Sequence, residues 1–411
     1  MHTRRTFENS LNRCRTDRWL RSANSHRRQT GPVVRLETST KKVVHDPGRD
    51  VVFYVAGLQY RLGQISAWKQ NDATKSQPPT SQTTPESHVM KSPYFLVGIL
   101  ALCVQPLAGA DKSRAQTTHV ASVAMHSEMG KPAANLNRIE HWCGKAHDAD
   151  ARFIVFPEEC ITGSLNKSSI PLDEVRRIVD EAAKLTLPRL EAIARRHDMT
   201  LVVGTIEREG EKFRNSALVV GPEGHLTTFH KLWLPNATEE KYFIAGTTLP
   251  VVESQGWRLS VGICADLNHS SYFHTAAAHG AELFLLPVGG SGGGDRVDED
   301  GDQTKQAKYH KSLHEKLMRK HAIETGMYVF YANQAGHSGN AWFPGLSLVV
   351  DPAGQLVDEH LPTEGMTVTR VSKAAILMRK SVRDAVRKRK CLNSSGKEVM
   401  VRIVHSPDTT R

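Results

Sequence analysis

From residue 117 onward, short apolar runs alternate with stretches in which apolar residues recur at helical spacing. Such runs, rich in branched aliphatic and aromatic residues, are typical of buried strands. Strands that alternate with helices predict a layered α/β fold of one domain, over residues 115–378. The predicted strands lie at residues 119–125, 153–156, 200–205, 216–220, 226–234, 258–263, 283–287, 328–332, 346–350 and 365–371.

The helical stretches lie between these strands. Helical spacing predicts a helix over residues 135–149, one or two helices over 172–197, and a further helix over 312–324. We expect a break near Pro188, because proline lacks the amide hydrogen that a helix interior requires. A shorter helix follows the strand at 258–263 and ends at His279.

The first 110 residues have a different composition. Residues 1–50 are rich in Arg, His, Ser and Thr without any period, and residues 70–87 are mainly Ser, Thr, Gln and Pro. Neither composition buries enough apolar surface to order itself. Residues 51–58 predict an isolated strand, which does not make a domain. We therefore expect residues 1–89 to be disordered or to be an upstream extension of the reading frame.

A secretory signal peptide is predicted at residues 90–110. Met90 and Lys91 precede an apolar run at 94–104, and Ala108-Gly109-Ala110 forms a small-residue cleavage site. The run is too short to span a membrane. Because a signal peptide does not work behind 89 residues, we expect Met90 to be the true start and the protein to be exported; otherwise it is cytoplasmic. A mature N-terminus at Asp111, read by mass spectrometry, tests this.

The net charge of +11 first suggests a nucleic-acid or membrane partner. Residues 1–110, however, hold 16 Lys and Arg against 7 Asp and Glu, which leaves 38 against 36 in the rest of the chain. The folded body is therefore nearly neutral, and we expect no nucleic-acid partner and no stable membrane insertion. A segment rich in Lys and Arg, residues 379–390, opens a predicted C-terminal extension over 379–411.

Three reactive side chains follow three predicted strands. Glu158 follows FIVFP, Lys231 stands in TTFHKLWLP, and Cys264 ends SVGIC. Strand ends of α/β sheets are where sites assemble. A thiolate can attack a carbonyl carbon, a carboxylate can move the protons, and an ammonium can stabilise the oxyanion. Taken alone, Cys264 could equally be a small buried hydrophobe, but the set predicts amide hydrolysis.

Longer motifs surround these residues, in order along the chain: FIVFPEECITGS, FRNSALVVGPEGHLTTFHKLWLP, EKYFIAG, VGICADL, GAELFLLP, RKHAIETGMYVFYANQAG and GLSLVVDPAGQLV. Together they resemble the nitrilase superfamily of carbon-nitrogen hydrolases. The resemblance implies a four-layer α-β-β-α sandwich and assembly into a homodimer or a higher homo-oligomer. It also implies a Glu-Lys-Cys triad that uses neither a metal nor an organic cofactor.

Residue by residue, the resemblance assigns Glu158 as the base, Lys231 as the oxyanion-stabilising lysine and Cys264 as the nucleophile. It further assigns Glu240, in EKYFIAG, to position the lysine and the substrate, with Glu239 directly beside it. The backbone amide of Ala265 is then a second oxyanion donor.

The residues after Cys264 bear on the substrate. True nitrilases carry Trp-Glu there, whereas this chain has Ala265-Asp266, which favours amides. Hydrolases of N-carbamoyl amino acids resemble the chain at EKYF but place arginines after the cysteine, where this chain has residues 267–270. His269 or a loop lysine could bind a carboxylate instead. The sequence predicts hydrolysis of the C–N bond of an amide or N-carbamoyl compound through a cysteine thioester intermediate, with release of ammonia.

Other possibilities remain open from the sequence. The same triad could hydrolyse nitriles or transfer an acyl group to an amine, and a non-catalytic binding protein is a further alternative. Cys143 and Cys160 lie on neighbouring elements and are candidates for a disulfide. The Gly-rich and acidic loop at 289–302 is expected to border the pocket; it lacks the regular ligand set of a calcium loop.

Overall fold

A computed structural model describes residues 54–55, 58–59, 116–165, 170–291, 303–377 and 391–407. The chain divides into two units, Met1–Leu100 and Ala101–Arg411. In the first unit, β1 (Tyr54–Val55) pairs with β2 (Leu58–Gln59) in an antiparallel arrangement. The predicted signal peptide at 90–110 and the basic segment at 379–390 lie outside the described residues.

The second unit contains two β-sheets. The strands of the first sheet are β3 (Thr117–His126), β4 (Ala151–Val155), β5 (Thr200–Glu209), β6 (Lys212–Gly221), β7 (Gly224–His230) and β15 (Gly365–Ser372). They lie in the order β15-β3-β4-β5-β6-β7, with β3, β4 and β5 parallel to one another. Strand β6 pairs antiparallel with β5, and β7 pairs antiparallel with β6. The C-terminal end of β7 therefore lies on the same side of the sheet as the C-terminal ends of β4 and β5.

The strands of the second sheet are β8 (Thr248–Ser254), β9 (Trp257–Val261), β10 (Leu283–Val288), β11 (Tyr328–Ser338), β13 (Ser347–Val350), β14 (Leu356–His360) and β16 (Met400–His405). They lie in the order β16-β8-β9-β10-β11-β13-β14. The short strand β12 (Ala341–Pro344) pairs with β11, and the end of β11 pairs with β3, so that the two sheets are joined.

Helices cover the outer faces of both sheets. On the first sheet lie α1 (Pro132–Asp148) and α2 (Leu172–His197), and beside the second lie α4 (Ser270–Ala278) and α5 (Gln303–Thr325). Two single-turn helices, α3 (Ala237–Tyr242) and α6 (Lys373–Leu377), follow β7 and β15. The layers therefore form the α-β-β-α sandwich that the resemblance implies.

Alternating strand residues account for this layering. On β3 and β4, Val120 and Phe153 face the other sheet and belong to the core between the sheets, whereas the next residues, Ala121 and Ile154, pack under α1 and α2. Both faces of these strands are buried. The strands accordingly consist of continuous apolar runs rather than alternating apolar and polar residues.

The structure differs from the sequence prediction in several elements. Helix α2 continues through Pro188, and α5 begins at Gln303 rather than at residue 312. Residues 391–407, predicted only as part of an extension, contain the edge strand β16 and pack on the domain, with Cys391 buried. The candidate pair Cys143 and Cys160 is not a disulfide, since both are buried free thiols. None of the helices in the described ranges is long and apolar enough to cross a membrane.

Candidate active site

Glu158 lies in the turn after β4, at the edge where the two sheets meet. Its backbone amide donates to the Val288 carbonyl at 3.3 Å, and its carbonyl accepts from Gln334 Nε2 at 2.7 Å. Its side chain is buried, and Oε1 accepts hydrogen bonds from Lys231 Nζ and Asn215 Nδ2, both at 2.8 Å. The carboxylate is thus held in one orientation by groups from two neighbouring strands.

Lys231 follows the last residue of β7 and is only 1% exposed. Its ammonium donates to Glu158 Oε1 at 2.8 Å and to Glu239 Oε2 at 2.9 Å. Burial on its own would lower the pKa of Lys231, but the charges of Glu158, Cys264 and Glu239 together hold it well above its ordinary value. Lys231 is therefore a permanent cation at neutral pH.

The structure corrects one sequence assignment. Glu239 is buried and contacts Lys231, whereas Glu240, which the sequence assigned to this position, is exposed. The residue at which α3 begins decides which of the two glutamates faces Lys231. Asn236 caps this helix, with its Oδ1 accepting from the amides of Thr238 and Glu239 at 3.0 Å each, and this turns Glu239 inward.

Cys264 is the first residue of a 3-10 turn, Cys264–Asn268, that follows β9. Its φ of 45° lies in the left-handed region, which costs a non-glycine residue about 1–3 kcal/mol. Cys264 is partly exposed while Glu158 and Lys231 are buried. The strained turn therefore presents the thiol at the surface of a buried charged cluster, and the thiol lies within electrostatic reach of Lys231.

The next two residues of this turn hold it in place. Ala265 is almost fully buried, and its amide belongs to the first turn, where helical amides lack intrahelical acceptors. The Asp266 carboxylate accepts from the amide of Ile263 at 2.9 Å and from that of Trp233 at 2.8 Å. It thereby joins the Cys264 turn to the segment that carries Lys231.

Burial raises the pKa of Asp266 to about 7, against the lowering effect of these hydrogen bonds. The sequence did not assign Asp266 a role.

The segment after β10 closes the site beside Glu158. A Cβ on Gly289 would lie 2.8 Å from Glu158 Oε2, so a larger residue at this position would displace the Glu158 carboxylate. Asn333 holds the next residue, Gly290, at both its amide (2.9 Å) and its carbonyl (3.1 Å). The predicted loop at 289–302 therefore begins against the Glu158 carboxylate; its residues 292–302 lie outside the described ranges.

A hydrogen-bonded pair of buried Tyr331 and half-buried His314 lies behind this glycine segment. The Tyr331 hydroxyl and His314 Nδ1 are 2.9 Å apart, and the same hydroxyl lies near Gly290. Burial, with a smaller effect of the His310 charge, lowers the pKa of His314 to about 4. Burial, together with the charges of Cys264 and Glu158, raises the pKa of Tyr331. Both side chains are neutral at pH 7, and neither was singled out from the sequence.

His269 is placed unfavourably for binding a substrate carboxylate. Its ring packs against that of Trp233, with the centroids 3.9 Å apart and the planes tilted by 34°. The centroid of the Tyr272 ring lies 5.4 Å from that of His269. Burial lowers the pKa of His269, so that the ring is neutral at pH 7. The aromatic stack therefore offers no cation in the position after the cysteine.

An apolar cavity of about 290 Å³ adjoins Glu239. Its walls include Leu165, Ile206, Phe213 and Phe243, and among the described residues that line it Glu239 is the only charged one. The described lining therefore combines apolar walls with a carboxylate that is already paired with Lys231, and it offers an anionic ligand no cationic side chain.

Several known proteins resemble this chain in sequence and in fold. A nitrilase of Pyrococcus abyssi is 26% identical over 247 residues, which cover 60% of this chain and 86% of the relative. A double mutant of the Nesterenkonia sp. AN1 amidase in complex with acrylamide superposes with a TM-score of 0.52 at 25% identity, covering 64% of this chain and 94% of the amidase. Another mutant of that amidase, covalently modified by the acetamide moiety of fluoroacetamide at its active-site cysteine, gives a TM-score of 0.51 at 26% identity and covers 65% and 96%. Residues 119–378 match the family model described as carbon-nitrogen hydrolase. The chain therefore belongs to the carbon-nitrogen hydrolase family and is similar to the amidases of the nitrilase superfamily.

Proposed function

We propose that the protein is an amidase that cleaves the C–N bond of a neutral amide through a thioester on Cys264 and releases ammonia. One observation carries the proposal: the Lys231 ammonium is buried between the Glu158 and Glu239 carboxylates, beside a cysteine on a strained turn. A buried cation with two anionic partners is costly to assemble and is typical of sites where charge develops during a reaction.

In the first half of the reaction, the Cys264 thiol gives its proton to Glu158 as the sulfur attacks the amide carbon. The resulting oxyanion receives hydrogen bonds from the Lys231 ammonium and the Ala265 amide. When the intermediate collapses, the C–N bond breaks, and the proton on Glu158 passes to the leaving nitrogen. The products of this half are ammonia and an acyl thioester on Cys264.

In the second half, water takes the place of ammonia. Glu158 removes a proton from the water, and the oxygen attacks the thioester carbon, again with its oxyanion beside Lys231. The C–S bond then breaks, and Glu158 returns the proton to the Cys264 sulfur. A carboxylic acid leaves, and the enzyme is restored without any external oxidant or cofactor.

The site favours a neutral amide over an N-carbamoyl amino acid. His269 is neutral and packs on Trp233, and the described lining of the cavity beside Glu239 includes no cationic side chain, so neither place offers a positive charge to a substrate carboxylate. The amide complexes of the Nesterenkonia enzyme support the same substrate class. Ala265 in place of the nitrilase tryptophan also favours amides over nitriles.

The proposal is tested by ammonia release from acetamide, butyramide, butyronitrile and N-carbamoyl-β-alanine, with Cys264→Ala as the control. We expect release from the amides by the wild type alone, and little from the nitrile or the carbamoyl compound. Preferred hydrolysis of N-carbamoyl-β-alanine would contradict the substrate class. Absence of ammonia with every compound, together with an unreactive Cys264, would favour a binding protein, and amide consumption that needs an added amine would favour acyl transfer.

A further inference from the structure

Residues 391–399 form a turn that lies beyond the residues matched by the family model. Asn393 organises this turn and is only 2% exposed. Its side-chain Oδ1 accepts from the backbone amides of Ser395 at 3.1 Å and Lys397 at 2.9 Å. Its backbone amide donates to the Lys397 carbonyl at 2.9 Å. The side-chain oxygen thus holds the turn, and the side-chain nitrogen points elsewhere.

Asn393 Nδ2 donates to the Gly246 carbonyl at 2.7 Å. The Gly246 amide in turn donates to the carbonyl of Lys231 at 2.8 Å. A Cβ on Gly246 would lie 2.2 Å from the His230 carbonyl oxygen, so this contact leaves no room for any other residue. The turn is therefore two hydrogen bonds away from the backbone of Lys231.

A second hydrogen bond reaches the same segment directly. The Ser394 amide donates to the Leu232 carbonyl at 3.0 Å. The carbonyls of Lys231 and Leu232 are thus both bound by groups that the C-terminal turn holds. These two bonds fix the backbone at and just after Lys231, in addition to the Asp266 contact to the Trp233 amide.

The turn is itself anchored at both ends. At its start, the Leu392 carbonyl accepts from the Tyr272 hydroxyl at 2.8 Å, and Cys391 is buried. After it, the Met400 amide donates to the Thr247 carbonyl at 2.9 Å, and β16 continues parallel to β8. The turn therefore connects α4, which follows the Cys264 turn, to the strand that follows Gly246.

We propose that Asn393 is a positioning residue for Lys231, and that residues 391–399 hold the backbone of the catalytic lysine in register with Glu158 and Glu239. The inference rests on the role that the proposed function gives to Lys231. Misplacement of a catalytic group by about 1 Å can cost 100-fold in rate. The Lys231 ammonium has two side-chain partners, and their geometry is maintained only if the backbone stays fixed.

The chemistry of asparagine suits this position, because it donates through Nδ2 while it accepts twice through Oδ1. Aspartate at this position has the same size and keeps both acceptors, yet it places a carboxylate oxygen against the Gly246 carbonyl. Asn393→Asp therefore removes the link to Gly246 and leaves the turn its own hydrogen bonds. Asn393→Ser, which is shorter, removes the link without adding charge. Glu398→Ala alters an exposed side chain of the same turn and is the matched control.

The experiment compares the four full-length proteins by butyramide kinetics, by the pH dependence of Cys264 alkylation with iodoacetamide, and by thermal unfolding. We expect Asn393→Asp and Asn393→Ser to lower kcat by about 10- to 100-fold with KM changed much less. We also expect the pH midpoint of alkylation to rise in both, because a displaced ammonium stabilises the thiolate less. Glu398→Ala should match the wild type in all three measurements.

The alkylation profile separates failure of this inference from failure of the proposed function, since it reports on Lys231 whether or not butyramide is a substrate. An alkylation midpoint unchanged in both folded Asn393 variants would overturn the positioning role. A loss of activity that merely follows a lower content of folded protein, with an unchanged alkylation profile, would do the same. If Asn393→Asp does not fold, the measurement on Asn393→Ser decides.

Discussion

Glu239 Oε2 accepts a hydrogen bond from Lys231 Nζ at 2.9 Å, so the glutamate eight residues after the lysine, and not the adjacent Glu240, balances its charge. The pair is buried on both sides. Together with Glu158, Glu239 holds the ammonium between two carboxylates. The direction of the Lys231 ammonium is therefore set by charge-assisted bonds, which are stronger than neutral ones.

Replacing Glu239 by glutamine should reduce kcat/KM for an amide by about 10- to 100-fold, the effect of losing one charge-assisted bond at a buried group. Glu240→Gln is the matched control, because it makes the same chemical change one residue away on an exposed side chain. We expect its kinetics to stay within about twofold of the wild type. Equal effects of the two substitutions on kcat/KM would contradict a specific role of Glu239 beside Lys231.

Asp266→Asn should destabilise the fold and lower kcat. The carboxylate accepts from three backbone amides, those of Ile263, Trp233 and, at 3.5 Å, Leu232, whereas an asparagine amide has one oxygen and must turn its NH₂ group toward at least one of these donors. An unsatisfied buried donor costs about 1–3 kcal/mol in the free energy of unfolding. Urea unfolding and amide kinetics measure the two effects, and an unchanged unfolding midpoint would contradict this role.

The raised pKa of Asp266 also predicts a pH dependence. Its ordinary value is 3.8 and its folded value is about 7, so between these pH values the folded protein binds a proton at Asp266 that the unfolded chain has released. The stability from this proton is complete below pH 3.8 and is lost as the pH rises toward 7. The difference in free energy of unfolding between the wild type and Asp266→Asn should therefore change in this window. A difference that is constant from pH 4 to pH 8 would refute the assignment.

Tyr331→Phe should remove the hydrogen bond to His314, whose ring is half-buried. We expect a loss of about 0.5–1.5 kcal/mol in the free energy of unfolding, the net worth of one hydrogen bond. Because the hydroxyl also lies near Gly290, we expect a modest fall in kcat as well. Tyr309→Phe, at a side chain that is 60% exposed, is the control and should change neither quantity. If both variants behave alike, the hydrogen bond between Tyr331 and His314 contributes neither to stability nor to kcat.

The sequence predicted much of this arrangement because the signals for strands and for the residues at their ends lie within a few consecutive positions. Buried strands followed by Glu158, Lys231 and Cys264 can be recognised from apolar runs and from the residues that end them. The choice between Glu239 and Glu240 could not be read in this way, since it depends on the phase of a single helical turn set by the Asn236 cap. The presence of Asn236 three residues before Glu239 was the one local signal that could have pointed to it.

Other parts depend on contacts between distant residues. The edge strand β16 has mostly exposed and partly exposed positions, without the apolar run of a buried strand, so its pairing with β8 gives no local signal. Helix α2 passes through Pro188 because its apolar face packs on the first sheet, and this packing outweighs the missing amide. The roles of Asp266 and Asn393 likewise arise from hydrogen bonds across more than 30 and more than 140 residues of chain.

In the proposed mechanism, Cys264 carries the acyl group during turnover. Mass spectrometry of the protein quenched in acid during butyramide hydrolysis, followed by peptide mapping, tests this directly. We expect one butyryl group, attached to the peptide that contains Cys264 and absent from Cys264→Ala. Butyramide hydrolysis by Cys264→Ala at the wild-type rate, or a butyryl group attached to a different residue, would contradict it.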